Sequence, residues 1–258
     1  MLMSAVFTAG FAVILTVLLV SLPRRHNVIF LIACWTPLVF DAGRVTWRAL
    51  GLNGYTGHMR LSTTLQGLPL NMCGVAALIL PVIAMKRERV ILLMSFLYFF
   101  SFPGSIATLL LGNAAPKNPA DPEFWIYYVT HSLYVVLPVA LIVSGYVRPR
   151  IKDLLWVDVM VAGLVTVAHL LNLAVNAIFG PMTVNFINTL YPGDMIQATG
   201  QWSRFPIMSN LYDLTGGAQY WYLYLFLPLL AVLQGILVLP LLPGERARKR
   251  AALQTTSS

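Results

Sequence analysis

Charge is scarce in this chain, and the motifs of nucleotide and metal chemistry are missing. Only 10% of its 258 residues are charged, against 58% that are apolar, a balance that excludes a soluble globular protein. There is no Walker phosphate loop, no G-x-G-x-x-G fingerprint and no H-x-x-x-H pair, which argues against phosphate-loop chemistry and a zinc protease. The sequence therefore predicts neither a cofactor nor a metal site.

Long apolar runs are what the chain has in abundance. Seven of them have the length of ~20 residues that a helix needs to cross ~30 Å of hydrocarbon. They span approximately residues 3–22, 27–47, 67–85, 90–112, 124–147, 154–179 and 218–242. The sequence thus predicts an all-α, multi-pass protein of the cell membrane, with one seven-transmembrane-helix bundle (residues 1–245) and a basic tail (residues 246–258).

The basic residues alternate from gap to gap between these runs. Twelve of the 17 follow the first, third, fifth and seventh runs, whereas five lie on the other side. Because Lys and Arg accumulate in short cytoplasmic loops, we expect the N-terminus outside and the C-terminus in the cytoplasm. The basic clusters and the tail favour anionic cytoplasmic lipid as a partner and argue against nucleic acid.

Polar side chains concentrate in the predicted outer half of the bundle. Ionisable and amide groups are expensive in hydrocarbon, so we expect them to point into the bundle. They are Asp41, Arg44 and Arg48 on the second helix, Asn71 and Cys73 on the third, His131 on the fifth, and His169, Asn172 and Asn176 on the sixth. The pattern predicts a polar cavity that opens outward or sideways into the outer leaflet.

Several of these residues also have a plainer interpretation. Asp41 and Arg44 lie three residues apart and are explained as an intrahelical ion pair, which lowers the cost of both charges. Cys73, taken alone, is more often a small packed hydrophobe than a nucleophile. Asn172 and Asn176 fit hydrogen bonds between helices as well as they fit substrate contacts.

Four short motifs occur in order between about residues 65 and 225. They are LPLNMC, which ends at Cys73, YFFSFPGSIATLLL, THSLYVV, which contains His131, and NAIFGPMTVNF. In these motifs the chain resembles the bacterial YwaF-like integral membrane family, whose eukaryotic relatives include a cysteine-dependent transmembrane acyltransferase that moves fatty acyl chains between phospholipids. The resemblance implies that Cys73 is the family's cysteine, that His131 is its histidine, and that Asn176 and Asn185 are its asparagines.

The resemblance and the similar predicted depths of Cys73 and His131 favour a lipid acyltransferase. We expect Cys73 to accept an acyl chain from a phospholipid as a thioester. His131 is expected to activate first the thiol and then the hydroxyl of a lysophospholipid. These two residues are the predicted catalytic pair.

Substrate-binding residues are predicted from the same polar half and from the resemblance. Arg44 is expected to bind the lipid phosphate, and Asn71 or the amides of the sixth helix are expected to donate hydrogen bonds to the developing oxyanion. The full predicted set is Arg44, Asn71, His169, Asn172, Asn176 and Asn185.

Other classes of membrane protein share parts of this pattern. A receptor or carrier that binds a lipid or a small amphiphile in the same cavity would need the same polar residues without catalysis. A haem protein with His131 and His169 as axial ligands requires the two rings to face each other at equal depth. A retinal photoreceptor is excluded, because it requires a Schiff-base lysine and the seventh run has none.

Overall fold

The structure is a computed structural model, and only part of the chain is described here. The described residues are 10, 13, 17, 28–85, 90–111, 120–143, 149–181, 183–193, 195–196, 201–202 and 206–243. The predicted first helix, residues 3–22, lies outside them apart from three positions. The predicted basic tail, residues 246–258, lies outside them entirely.

Helices make up most of the described residues. They are α1 (Val28–Ala49), α2 (Gly57–Gln66), α3 (Met72–Met85), α4 (Ile91–Phe96), α5 (Phe102–Leu111), α6 (Pro122–Val143), α7 (Leu154–Phe179), α8 (Pro206–Leu214) and α9 (Phe226–Val238). A π-helical segment, Leu97–Ser101, joins α4 to α5, and short 3-10 segments occupy Ile151–Asp153, Phe186–Asn188, Tyr220–Leu225 and Leu239–Leu241. Two short strands, β1 (Met195–Ile196) and β2 (Gln201–Trp202), pair antiparallel.

Five segments of the described chain are long and apolar enough to cross a membrane. They are Val28–Ala49, Ile91–Leu109, Pro122–Val143, Ile151–Phe179 and Trp221–Leu241. A shorter apolar helix, α3, stands where the sequence predicted a span over residues 67–85. The all-α, multi-pass class is therefore confirmed, and the five long segments agree with five of the predicted spans to within a few residues.

The predicted fourth span is not one regular helix. Pro103 has no backbone N–H, so the carbonyl of Phe99 loses its usual helical donor. The backbone widens just before this point, where the N–H of Phe102 donates to the carbonyl of Leu97, five residues back. This π-helical segment contacts α3, α6, α7 and α9 and therefore lies at the centre of the packing.

Helix α1 organises the half of the bundle that carries the candidate site. It packs against α2, α3 and α6. On α3 the fully buried residues Ala76, Leu80 and Ile83 are spaced by four and three, which puts them on one helical face. Because α1 contacts both α3 and α6, side chains from all three helices can meet.

A partly buried ion pair between Arg48 and Glu123, with a hydrogen bond from Arg48 to Thr63, joins α1, α2 and α6 at one end of the bundle. The Nε of Arg48 donates to Oε1 of Glu123 at 2.7 Å, and its Nη1 donates to the carbonyl of Thr63 at 3.0 Å. Since Arg48 is near the end of α1 and Glu123 is near the start of α6, the two helices run antiparallel. We call this end of the bundle, marked by Arg48, Glu123 and Thr63, the polar end.

Candidate functional site

Cys73 lies in the first turn of α3, and the residues around it fix that turn. Asn71 caps the helix, because its Oδ1 accepts a hydrogen bond from the N–H of Gly74 at 2.6 Å and so satisfies a donor that the helix leaves unpaired. Pro69 packs directly on Gly74: a Cβ at position 74 would lie 2.4 Å from the Cα of Pro69. Only glycine fits there, and the placement of Cys73 depends on this contact.

Gly74→Ala is expected to displace the turn that carries Cys73. The added methyl group would overlap backbone atoms of Pro69, which cannot swing away as a flexible side chain does, so we expect the free energy of unfolding to fall by roughly 1–3 kcal/mol. The measurements are thermal unfolding in detergent and the rate at which iodoacetamide alkylates Cys73. Gly163→Ala is the matched control, because a Cβ there meets nothing within 4 Å. Unchanged stability and alkylation in Gly74→Ala would contradict this account of the turn.

The ion pair predicted on α1 is confirmed. Nη2 of Arg44 lies 2.8 Å from Oδ1 of Asp41, and both charges lie within electrostatic range of Cys73. The Nε of Arg44 is buried and has no hydrogen-bond partner within the described part of the chain. α1 therefore brings a cation with an unused N–H donor toward the cysteine.

His131 approaches the same region from α6. Its Nδ1 lies 2.7 Å from the carbonyl of Tyr127, and because a carbonyl only accepts, Nδ1 carries the hydrogen. In the neutral ring this leaves a lone pair on Nε2, for which no partner occurs among the described residues. Arg44 lies within electrostatic range of the imidazole, so the cation of α1 is near both Cys73 and His131.

Tyr134 lies near both the histidine and the cysteine. It lies three residues after His131 on the same helical face, with a ring-centroid distance of 5.9 Å, and it is within electrostatic range of Cys73. Its side chain is only 1% exposed, and its hydroxyl has no hydrogen-bond partner in the described segments. We call the group formed by Asp41, Arg44, Cys73, His131 and Tyr134 the cysteine site.

Two of the predicted binding asparagines hold the loop that follows α7. Nδ2 and Oδ1 of Asn172 pair with the C=O and N–H of Phe186 at 3.0 and 2.7 Å. Asn176 makes the same two bonds with Val184, each 2.9 Å long. The second N–H of Asn172 donates to a loop hydroxyl, so this amide has no donor left for an oxyanion.

Asn185 lies in the same loop and His169 of α7 contacts it, so neither is placed in the cysteine site. The side chain of Asn185 bonds four main-chain groups of residues 190–193, and its own N–H and C=O pair with Gln66 of α2 at 2.8 and 3.3 Å. Nδ1 of His169 lies 3.2 Å from the hydroxyl of Thr189. None of these described bonds involves Cys73 or His131, so the structure divides the predicted site residues between two clusters.

The loop backbone is strained where these bonds hold it. Ile187 and Asn188 have φ angles of 55° and 56°, in the left-handed region that costs a branched residue such as isoleucine about 1–2 kcal/mol. Tyr222 adds a hydrogen bond from its hydroxyl to the carbonyl of Asn188. Such strain persists only where surrounding contacts determine the conformation, and the asparagines supply those contacts.

The fold and the cysteine site together define a class: a multi-pass α-helical membrane protein in which a cysteine, a histidine and a partly buried ion pair gather near one end of the bundle. The chain belongs to the TMEM164 family, a family of membrane proteins, whose model matches residues 1–238. No curated protein and no solved structure matches the chain significantly.

Proposed function

We propose that this protein is a lipid acyltransferase that carries a fatty acyl chain as a thioester on Cys73. The observation that carries the proposal is the gathering of Cys73, His131 and Arg44 in one site, with Nε2 of His131 unbonded within the described part of the chain. A thiol nucleophile, a nearby imidazole base and a cation are the groups that acyl transfer from a phospholipid requires. The YwaF-like resemblance, which includes a cysteine-dependent acyltransferase among its eukaryotic relatives, points to the same reaction.

The first half-reaction moves the acyl chain from phospholipid to enzyme. The sulfur of Cys73 attacks the ester carbonyl carbon, a C–S bond forms, and the carbonyl electron pair moves onto oxygen. The thiol proton passes to Nε2 of His131. When the oxyanion collapses, the C–O ester bond breaks and the leaving glycerol oxygen takes that proton, which yields an acyl-Cys73 thioester and a lysophospholipid.

The second half-reaction returns the enzyme to its starting state. Nε2 of His131 accepts the proton of a lysophospholipid hydroxyl while that oxygen attacks the thioester carbon. The C–S bond then breaks, and the sulfur of Cys73 recovers the proton from His131. Because one residue serves as base and then as acid in each half, a single free nitrogen is sufficient.

Arg44 is the residue proposed to bind the lipid phosphate. Its guanidinium is held by Asp41 through Nη2, while its buried Nε–H is unused within the described residues. A charge-assisted bond from this N–H to a phosphate oxygen would orient the ester toward Cys73. Asn172, Asn176 and Asn185 have a different role in this proposal, which is to hold the loop after α7 in place.

The proposal includes the membrane arrangement predicted from the sequence. We propose seven spans in the cell membrane with the N-terminus outside, so that the polar end faces the outer leaflet. The basic clusters that support this arrangement are in the sequence gaps after alternate apolar runs. A reporter fused to the C-terminus should be protected from protease in intact cells. Digestion of the reporter would contradict the proposed orientation and indicate that the C-terminus is outside.

A lipid carrier or receptor is the second candidate. Buried donors without partners at Arg44 and Tyr134, as judged within the described segments, would suit a retained polar ligand as well as a transition state. The test uses the purified protein in lipid nanodiscs, with acyl-labelled phosphatidylcholine and a lysolipid of a different headgroup. Acyl transfer requires label in the second headgroup class; a carrier would give none and would copurify with lipid.

A further inference from the structure

We infer that Tyr134 is the oxyanion donor of the cysteine site: its hydroxyl donates a hydrogen bond to the acyl oxygen while the sulfur of Cys73 attacks. This inference rests on the proposed acyl-transfer function and adds a third reacting group to it. The sequence pattern instead predicts Asn71, Asn172 or Asn176 as the oxyanion donor.

The state of the tyrosine hydroxyl is the first reason. Tyr134 is 1% exposed, and its hydroxyl has no hydrogen-bond partner in the part of the chain that the structure describes. A buried polar group left unpaired costs about 1–3 kcal/mol. Phenylalanine would fill the same space without this cost, so a hydroxyl at this position calls for a partner that arrives only with a ligand.

The place of the ring is the second reason. Tyr134 packs edge-on against His131, with an interplanar angle of 76°, and it shares the site with Cys73 and Arg44. The sulfur attacks the ester carbonyl and the imidazole transfers a proton during that attack, so the carbonyl must lie between these groups. The hydroxyl of Tyr134 is therefore in the region where negative charge develops on the acyl oxygen.

The third reason is that Asn172 and Asn176 are already hydrogen-bonded to the loop after α7. Asn172 donates both of its N–H groups to the loop after α7, and Asn176 binds both main-chain groups of Val184. The oxygen of Asn71 caps α3 and its N–H groups stay available, but none of the described contacts brings Asn71 to His131 or Tyr134. Tyr134, in contrast, has a donor in the cysteine site with no described acceptor.

The chemistry requires only a hydrogen bond from the tyrosine. As the C–S bond forms, the carbonyl electron pair moves onto oxygen, and the phenolic O–H donates to that oxygen without losing its proton. The bond is stronger to the oxyanion than to the ester carbonyl, so it lowers the barrier rather than only binding substrate. Collapse of the intermediate restores the carbonyl and weakens the bond.

The test compares two reactions of the same sulfur in purified full-length protein. Acylation of Cys73 by p-nitrophenyl octanoate passes through an oxyanion, whereas alkylation by iodoacetamide does not. We expect Tyr134→Phe to slow acylation by about 10²-fold and to leave alkylation within twofold of wild type. Tyr128→Phe removes a hydroxyl from the same helix outside the cysteine site and should change neither rate.

The outcomes separate this inference from the proposed function. Equal slowing of acylation and alkylation in Tyr134→Phe would make the tyrosine a packing residue, and unchanged acylation would remove it from the reaction; either result overturns the inference. If wild-type Cys73 is acylated by the ester in a Tyr134-dependent way but transfers no acyl chain between lipids, the oxyanion assignment stands and the phospholipid reaction fails.

Discussion

Cys73→Ala is expected to abolish acyl transfer between phospholipids. The substitution removes the only atom that can hold the acyl chain in the proposed reaction, and neither Arg44 nor His131 replaces a sulfur nucleophile. Loss of a nucleophile that acts as a unit with its base costs on the order of 10⁶ in rate, so the residual rate should equal that of protein-free membranes. Transfer of labelled acyl chain from phosphatidylcholine to lysolipid in nanodiscs measures it.

Cys34→Ala is the matched control for this loss. Cys34 is fully buried on α1, seven residues before Asp41, which is about 10 Å along the helix. Its removal should cost a little packing energy and leave the transfer rate near wild type. If Cys73→Ala keeps wild-type transfer, or if Cys34→Ala loses it, the nucleophile has been assigned to the wrong residue.

His131→Ala is expected to lower acyl transfer by about 10²- to 10⁴-fold, the usual effect of removing a general base. The variant leaves a space beside Tyr127 and Tyr134, whose rings lie 4.3 and 5.9 Å from the imidazole centroid. Imidazole added to the buffer should occupy this space and restore part of the activity. The dependence of the transfer rate on imidazole concentration is the measurement.

Rescue separates a chemical role of His131 from a structural one. Imidazole should not rescue Cys73→Ala, because it supplies a base but no thioester. His58→Gln is the control at a histidine of α2 that bonds Thr183 in the α7 loop, and it should retain activity. A His131→Ala variant that transfers acyl chains at a rate within a few fold of wild type would rule out the imidazole as the base.

The sequence predicted the long helices well, because a run of about twenty apolar residues is compatible with few structures other than a membrane-spanning helix. It did not predict α2, Gly57–Gln66, whose composition is polar. This short helix depends on tertiary bonds: Arg48 binds the carbonyl of Thr63, Ser62 donates to the carbonyl of Thr183 at 2.6 Å, and Gln66 pairs with the loop. Such bonds join residues distant in sequence, and no local pattern announces them.

The candidate site could be predicted only in part, because helix geometry is predictable from the sequence and contacts with loops are not. Helical spacing and depth brought Asp41, Arg44, Cys73 and His131 to one region, because helix geometry determines which side chains share a face. The i, i+3, i+7 spacing of His169, Asn172 and Asn176 predicts that these side chains line the polar cavity, but the structure uses them to hold a loop. Their partners are main-chain groups and hydroxyls of a loop whose path the sequence does not reveal.

Tyr134 was missed because an aromatic residue in an apolar helix resembles core packing. Its spacing of three from His131 was the available signal. Only the structure adds that its hydroxyl is buried without a described partner.

The most direct measurement of the central proposal is mass spectrometry of the enzyme after incubation with acyl-labelled phosphatidylcholine and no lysolipid acceptor. We expect the mass of the acyl chain on the peptide that contains Cys73, its removal by neutral hydroxylamine, and its disappearance when lysolipid is added. Acyl transfer that proceeds with no acyl group on Cys73, or with the group on another residue, would contradict the proposal.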